Sequence, residues 1–366
     1  MPPSMRDGRG PAATAAMLAP ATGPAPGGPP DARRHRASTP CNHGVGGLRD
    51  LDLTAIFAPA KLSPDLPPEI FVRRSTRRLP GAVVEPARAS EPGLPQPGCV
   101  LGKYRLERTI GLGGFGAVYR ARHVVLDNIV AIKLMRPSVV QSRPNLPRLL
   151  TEEARFAARI DHANVVRVYD VATSNDHTYI VMEHVDGPDL SVLIKRRGAL
   201  PYKVVARILR HIAAALAAGL AEQLIHRDVK PSNILLTRAG ITKLADFGLA
   251  RGSSAGGVTG VRGVVGTAAY MAPEQASDPQ HVDFRSDIYS LGITAYHALT
   301  GRLPFSEHDI RQRAEGSDSP AFALPSRIVT AIPAALDDLI VEMTARRPDD
   351  RPASYAAITA ALRAMR

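Results

Sequence analysis

The chain has 366 residues, 45% of them hydrophobic, and a formal net charge of +12, which suits two domains or one two-lobed domain with an extension and excludes a wholly disordered polymer. Its two cysteines, Cys41 and Cys99, exclude a disulfide framework and a cysteine metal site and point to a reducing cytoplasm. No apolar run reaches the about 18 residues of a membrane span, the first thirty residues lack a secretory apolar region, and no nucleic-acid motif accompanies the positive charge.

Residues 1–98 are dominated by Pro, Gly, Ala and Arg, with 12 Lys+Arg against 8 Asp+Glu. They read as a disordered extension, because such a composition buries too little apolar surface to offset chain entropy. One island differs: residues 48–57 place Leu48, Leu51, Leu53, Ile56 and Phe57 at a spacing that suits one or two helical turns. It is either a docking peptide, for a partner or for the chain's own folded part, or an idle patch. Arg73-Arg74-Ser75-Thr76-Arg77-Arg78 surrounds two hydroxyls with cations. It is a phosphorylation site, a phosphate-binding patch or a solvated linker.

Order is expected from about Val100. Residues 104–110 alternate as a half-buried strand does. The run Gly111-Leu112-Gly113-Gly114-Phe115-Gly116 then turns the chain, and residues 117–121 return as a second strand. In dinucleotide-binding folds a similar glycine run opens a helix. Here strand pattern lies on both sides, which predicts a hairpin lid whose backbone N–H groups approach an anion without obstruction from Cβ atoms. Residues 130–134 form an apolar strand around Lys133, which is either an edge-strand lysine with its head in water or, as the glycine run upstream favours, a cation aimed at phosphate oxygens; a buried cation needs a partner. A helix is expected over residues 151–160, carrying Glu152 and Glu153, with Ala157 one turn on. Residues 165–169 and 178–182 read as further strands, and residues 203–222 as a long helix with an apolar face.

The polar loop His226-Arg227-Asp228-Val229-Lys230-Pro231-Ser232-Asn233 follows, between the apolar residues Leu224, Ile225 and Ile234, Leu235, Leu236. It puts an acid, a cation and an amide within six residues, and Pro231 keeps it from becoming helix. Asp246-Phe247-Gly248 repeats the pattern after Leu244 and Ala245. A carboxylate and an amide carbonyl are the hard oxygen ligands that Mg²⁺ takes.

These three motifs, in this order, resemble the signature of the eukaryotic-like (Hanks-type) protein serine/threonine kinases, closest to the bacterial ones. The resemblance covers about residues 100–366 and no catalytic motif is broken. It implies an α+β, bilobal protein kinase fold over residues 99–366: a small β-rich N-lobe with one helix, about residues 99–183, and a larger, mainly α-helical C-lobe, about residues 186–366. It also implies that the chain transfers the γ-phosphate of ATP to Ser/Thr hydroxyls of proteins with Mg²⁺, or Mn²⁺ in its place. The site that holds this polyanion, with the arginine-rich composition, accounts for the positive charge.

By the same resemblance Asp228 is the catalytic base, Lys230 meets the γ-phosphate, and Lys133 pairs with Glu153. Asn233 and Asp246 hold the metal. The nucleotide is held by Ile110, Gly111, Gly113, Gly114, Gly116, Val118, Ala131, Lys133, Met182, Glu183, Val185, Asp189 and Leu235, with residues 183–185 as the hinge that meets adenine. Residues 246–274 resemble an activation segment in which Arg227 grips a phosphate. Thr259 is the preferred acceptor, with Ser253 and Ser254 behind it, and Thr267 lies near Asp228. Glu274 with Arg351, and Asp287 beneath the loop, are structural. Ser232 stands where many relatives have Glu, so no preference for basic peptides follows. Family members often continue into a membrane span and a sensor domain; this sequence stops at Arg366, so signals are expected to enter through residues 1–98 or another protein. Expected partners are ATP, protein substrates and a second copy for trans-autophosphorylation, with no nucleic acid and no membrane span, in the cytoplasm. The alternative is a catalytically weak pseudokinase acting as a nucleotide-dependent scaffold, which loss of Lys133, Asp228 or Asp246 would have favoured.

Overall fold

A computed structural model describes residues 93–113, 116–175, 177–247, 268–314 and 322–365, all within one compact unit. The island at residues 48–57 and the basic cluster at residues 73–78 lie outside the described residues.

The N-lobe is an antiparallel sheet of six strands: β1 Val100–Leu101, β2 Tyr104–Leu112, β3 Gly116–His123, β4 Ile129–Met135, β5 Val168–Ser174 and β6 His177–Glu183, in the order β1-β2-β3-β4-β6-β5. Strand alternation decides what each face carries. Ala117, Tyr119 and Ala121 of β3, with Val130, Ile132 and Leu134 of β4, point into one apolar core beside Leu106 and Val181. The residues between them, Val118, Ala131 and Lys133, are thereby left to the opposite face. Register puts Val118 across from Lys133 and Ala131 across from Met182. Gly116 begins β3 where a Cβ would stand 1.8 Å from the Leu134 carbonyl oxygen, so no larger residue fits there without moving the sheet.

Three expectations need correction. The strand expected at residues 165–169 is displaced to β5, because Val165 is taken in a parallel bridge by Leu244. The bonds Val166 N–H to Leu244 O (2.9 Å) and Leu244 N–H to Asn164 O (2.8 Å) hold it there. The N-lobe also has two helices rather than one: α1 Pro137–Ser142, and α2 Leu146–Ala157, which starts five residues before the predicted helix. Each has a proline in its first turn, where the missing N–H has no helical partner to lose. Finally, packing reaches back beyond Val100: Leu94 is buried, and the Tyr119 hydroxyl donates to Pro95 O at 3.0 Å.

The C-lobe contains α3 Leu190–Arg197, α4 Tyr202–Ala221, the short pair β7 Ile234–Leu236 and β8 Thr242–Leu244, then α5 Pro273–Ser277, α6 Arg285–Thr300, α7 Glu307–Ala314, α8 Ala334–Met343 and α9 Tyr355–Ala364. Helix α4 is long and apolar enough to cross a membrane by length and composition, contrary to the sequence reading. Its stripe of Val204, Val205, Ile208, Leu209, Ile212, Ala213 and Leu216 is buried, and it packs on α9, β8 and α6 as a core helix does. Each fully buried Ile or Leu of that stripe contributes about 1.5–3 kcal/mol. Helix α6 is buried on all sides, which fixes the residues at its first turn against the loop before Pro231.

Two histidines in these helices are held neutral. His211 Nδ1 accepts from Thr242 N–H at 3.2 Å, and His297 Nδ1 lies 2.7 Å from the Tyr270 hydroxyl. Burial pushes both below the usual imidazole value, and for His211 Arg210 and Arg207 add to it. Stability tied to the neutral rings is complete above the unfolded value of about 6.5 and is lost as pH falls through the lower folded values. The urea midpoint is therefore expected to drop between about pH 7.5 and about pH 5, and His297→Gln should make that drop shallower.

Candidate active site

The cleft between sheet and helices is lined from above by Ile110, Gly111, Val118, Ala131 and Lys133, at its back by Met182, Glu183 and Val185, and from below by Asp189, Leu235 and Asp246. Eleven of the predicted nucleotide and metal residues thus share one cavity. Gly113 N–H donates to Gly116 O at 2.9 Å, closing the hairpin over it. Gly114 lies outside the described residues, as do Thr259 and Thr267.

The charged groups meet at the inner end. Lys133 Nζ lies 2.8 Å from Asp246 Oδ1. Lys230 Nζ lies 2.8 Å from Asp228 Oδ2, and Asn233 Nδ2 donates to Asp228 O (2.8 Å) and Oδ2 (3.1 Å). Ala245 N–H donates to Asn233 O at 2.9 Å, which sets Asn233 beside Asp246. Burial alone would raise the Asp246 carboxyl; the Lys133 ammonium, its hydrogen bond, His226 and Lys230 outweigh it and hold it below the usual carboxylate range. Asp246 is therefore an anion at neutral pH. Because Asn233 spends its N–H₂ on Asp228, its Oδ1 is left as an acceptor. An ionised carboxylate and a free amide oxygen fit Mg²⁺. Glu153 is buried on α2, while the ion pair resolved for Lys133 is the one with Asp246.

Asp287, at the start of α6, carries the loop. Its two oxygens accept from His226 N–H (2.8 Å) and Arg227 N–H (2.7 Å), and the Tyr355 hydroxyl donates to Oδ2 at 3.4 Å. Burial raises the Asp287 carboxyl despite these bonds. His226 accepts Asp228 N–H on Nδ1 (3.2 Å), so its proton is on Nε2, which donates to Ala245 O (2.9 Å). One imidazole thus ties the Asp228 loop to the Asp246 loop. Phe247 packs edge-on to His226 and against Gly219 of α4, where a Cβ would stand 2.3 Å from its ring. Arg227 and Asp246 both have φ of 64°, a left-handed conformation that is unusual without glycine.

Some roles differ in detail from the sequence reading. Asp189 lines the cleft, but its Oδ1 caps α3, accepting from Val192 N–H at 2.9 Å and from the Ser191 hydroxyl. The Glu183 side chain is held by Lys243 Nζ at 2.9 Å and by Arg167 N–H at 3.3 Å, which leaves its backbone as the hinge surface. Burial, then the fields of Arg120 and Arg108, keep the neighbouring His184 below its usual value. Behind Met182, Ala154, Ala157, Val168 and Phe247 enclose a void of about 20 Å³, the space that a side chain larger than Ala157 would fill. Glu274 and Arg351 form the expected pair, Nη1–Oε1 2.6 Å and Nη2–Oε2 2.8 Å. The other Arg351 donors reach Ala345 O, Arg285 O and Arg346 O.

Sequence reasoning missed Lys243 and Gln275. Alternation in Thr242-Lys243-Leu244, whose outer members are buried, turns Lys243 toward the hinge. Gln275 stands three residues after the first residue of a helix cap, the position at which a glutamine reaches back to the backbone.

The family model for the protein kinase domain matches residues 104–362. The chain is 39% identical over 266 residues to the serine/threonine-protein kinase PknL of Mycobacterium tuberculosis, covering 72% of this chain and 65% of PknL. It is 38% identical over 255 residues to a probable serine/threonine-protein kinase of Clostridium perfringens, covering 69% of this chain and 37% of that protein. The chain thus spans about a third to two thirds of the length of these relatives. Among solved structures, the PknI kinase domain of M. tuberculosis superimposes with a TM-score of 0.60 at 27% identity, over 74% of this chain and 98% of that domain.

Proposed function

As this chain belongs to the protein kinase family, we propose that it is a protein serine/threonine kinase that moves the γ-phosphate of ATP to Ser/Thr hydroxyls. The observation that carries this reading is the convergence of Lys133, Asp228, Lys230, Asn233 and Asp246 at one end of one cleft. Phosphoryl transfer asks a protein for positioning and charge neutralisation, and these groups supply both. Asp228, steered by Lys230 and Asn233, accepts the proton of the attacking hydroxyl. Lys230 neutralises charge on the transferred phosphoryl group, and Lys133, anchored by Asp246, holds the inner phosphates. Asn233 Oδ1 and Asp246 would hold Mg²⁺, which supplies charge neutralisation to the phosphates when bound. Ala131, Val118, Val185 and Leu235 sandwich the base, and the hinge backbone meets its edge.

Arg227 would receive a phosphate on the activation segment, with Thr259 as the proposed acceptor. Thr259→Ala is expected to lower peptide phosphorylation after preincubation with ATP; unchanged activity removes Thr259 from that role. Trans-autophosphorylation between two copies supplies the phosphate, and the partners are ATP and protein substrates in the cytoplasm. The test of the whole reading is mass-spectrometric site mapping after incubation of the full chain with Mg·ATP and a protein mixture. Phosphate on Ser and Thr supports it, and hydrolysis or binding without transfer removes it.

A further inference from the structure

We propose that Gln275 is a positioning residue for phosphoryl transfer, fastening the chain at the start of α5 to the peptide that carries Asp228; this rests on the kinase reading above. Both ends of its amide are engaged. Oε1 accepts from Ala272 N–H at 3.0 Å, and Nε2 donates to Arg227 O at 2.9 Å. One partner is a donor and the other an acceptor, so only this orientation of the amide satisfies both.

The carbonyl that it holds belongs to the peptide unit between Arg227 and Asp228. The other end of that unit, Asp228 N–H, is held by His226 Nδ1 at 3.2 Å. A peptide unit is planar, so fixing its oxygen and its N–H fixes the plane, and with it the direction in which the Asp228 side chain leaves the backbone. The preceding N–H, that of Arg227, is held by Asp287 at 2.7 Å. Arg227 itself sits at φ 64°, a conformation that persists only when its surroundings impose it. Asp287 and His226 hold it from the C-lobe core; Gln275 holds it from the segment that leads into α5. Gln275 is therefore one contact, among the described residues, through which the chain at the start of α5 reaches the base. Loss of its donor frees one end of the plane while the ion pair of Lys230 with Asp228 remains.

The test uses the full chain with Gln275→Leu and Gln275→Glu, and reads kcat, KM for ATP and thermal melting. Gln275→Leu keeps the side chain as far as Cδ and removes both bonds. It is expected to lower kcat at least about tenfold, the equivalent of one buried hydrogen bond, with KM for ATP within about twofold. Gln275→Glu separates positioning from mere stability. When ionised it still accepts from Ala272 N–H but turns a second acceptor on the Arg227 carbonyl; when protonated it donates to that carbonyl as the amide does. The ratio of its kcat to that of the wild type should therefore climb as pH is lowered from about 7 to about 4.5, into the ordinary glutamate range, while the Gln275→Leu ratio stays flat. The groups around it, His226 and Asp228 on the loop, Asp287 on α6 and Glu274 on α5, are common to all three proteins and cancel in the ratio. A kcat for Gln275→Leu within about twofold of wild type, or a flat Gln275→Glu ratio, overturns the inference and leaves the kinase reading standing. If Gln275→Leu does not fold, the Gln275→Glu ratio decides alone. A wild-type chain that transfers no phosphate overturns the kinase reading and this inference with it.

Discussion

Asp228→Asn is expected to lower phosphoryl transfer by about 10²–10⁴-fold, the usual contribution of a positioned general base. In the wild type Oδ2 is occupied by Lys230 Nζ and Asn233 Nδ2, which leaves Oδ1 to receive the hydroxyl proton. An amide of the same shape keeps the volume but has no basic oxygen, and it can present an N–H₂ to Lys230. ATP binding is expected to survive within a few-fold, because Asp228 touches none of the groups placed at adenine or ribose. A radiolabelled transfer assay beside a nucleotide-binding titration separates the two. A transfer rate within tenfold of wild type at equal ATP occupancy would remove Asp228 from the role of base.

Arg351→Met is expected to destabilise the fold by about 3–5 kcal/mol, the usual cost of breaking a buried ion pair from one side. The Arg351 side chain is fully enclosed, and all five of its donors are used: two on Glu274 and three on the carbonyls of Ala345, Arg285 and Arg346. Methionine restores some packing over Tyr289, whose ring lies 5.0 Å from the guanidinium. It leaves Glu274 anionic and three carbonyls without their donor. A fall in melting temperature of the order of 10 °C follows for a domain of this size. Glu274→Gln, which keeps an acceptor for Arg351, should cost clearly less. Equal melting points for wild type and Arg351→Met would mean that water replaces every one of these bonds.

The parts of the site legible in the sequence are those whose signal is local. Lys133 was visible because alternation in β4 sends it to the face opposite Ile132 and Leu134, and Asp228 and Asp246 because each stands in a short polar loop between apolar residues. Helix α6 and the Glu274–Arg351 pair followed from the kinase resemblance rather than from periodicity. What escaped was set by contacts across distance in the chain. The Lys243–Glu183 and Gln275–Arg227 bonds span 60 and 48 residues, and such pairs leave no periodic trace. Strand β5 was misplaced because Val165 and Val166 have strand composition, yet Val165 N–H donates to His162 O and Val166 N–H to Leu244 O, neither of them to the sheet. Helix α1 is six residues long, too short for an apolar stripe to show. Asp189 illustrates a residue with two duties, since its capping of α3 is as local as its place in the cleft.

The left-handed backbones of Arg227 and Asp246 have a consequence for what selection can do here. A side chain in that conformation sits about 1–2 kcal/mol above a relaxed one, and glycine would release that energy at either place. Neither position can take glycine without losing the charge for which it is kept. The domain therefore stays less robust than its packing would permit, and sequences drifting toward greater thermal resistance would meet their first conflict with turnover at these two residues.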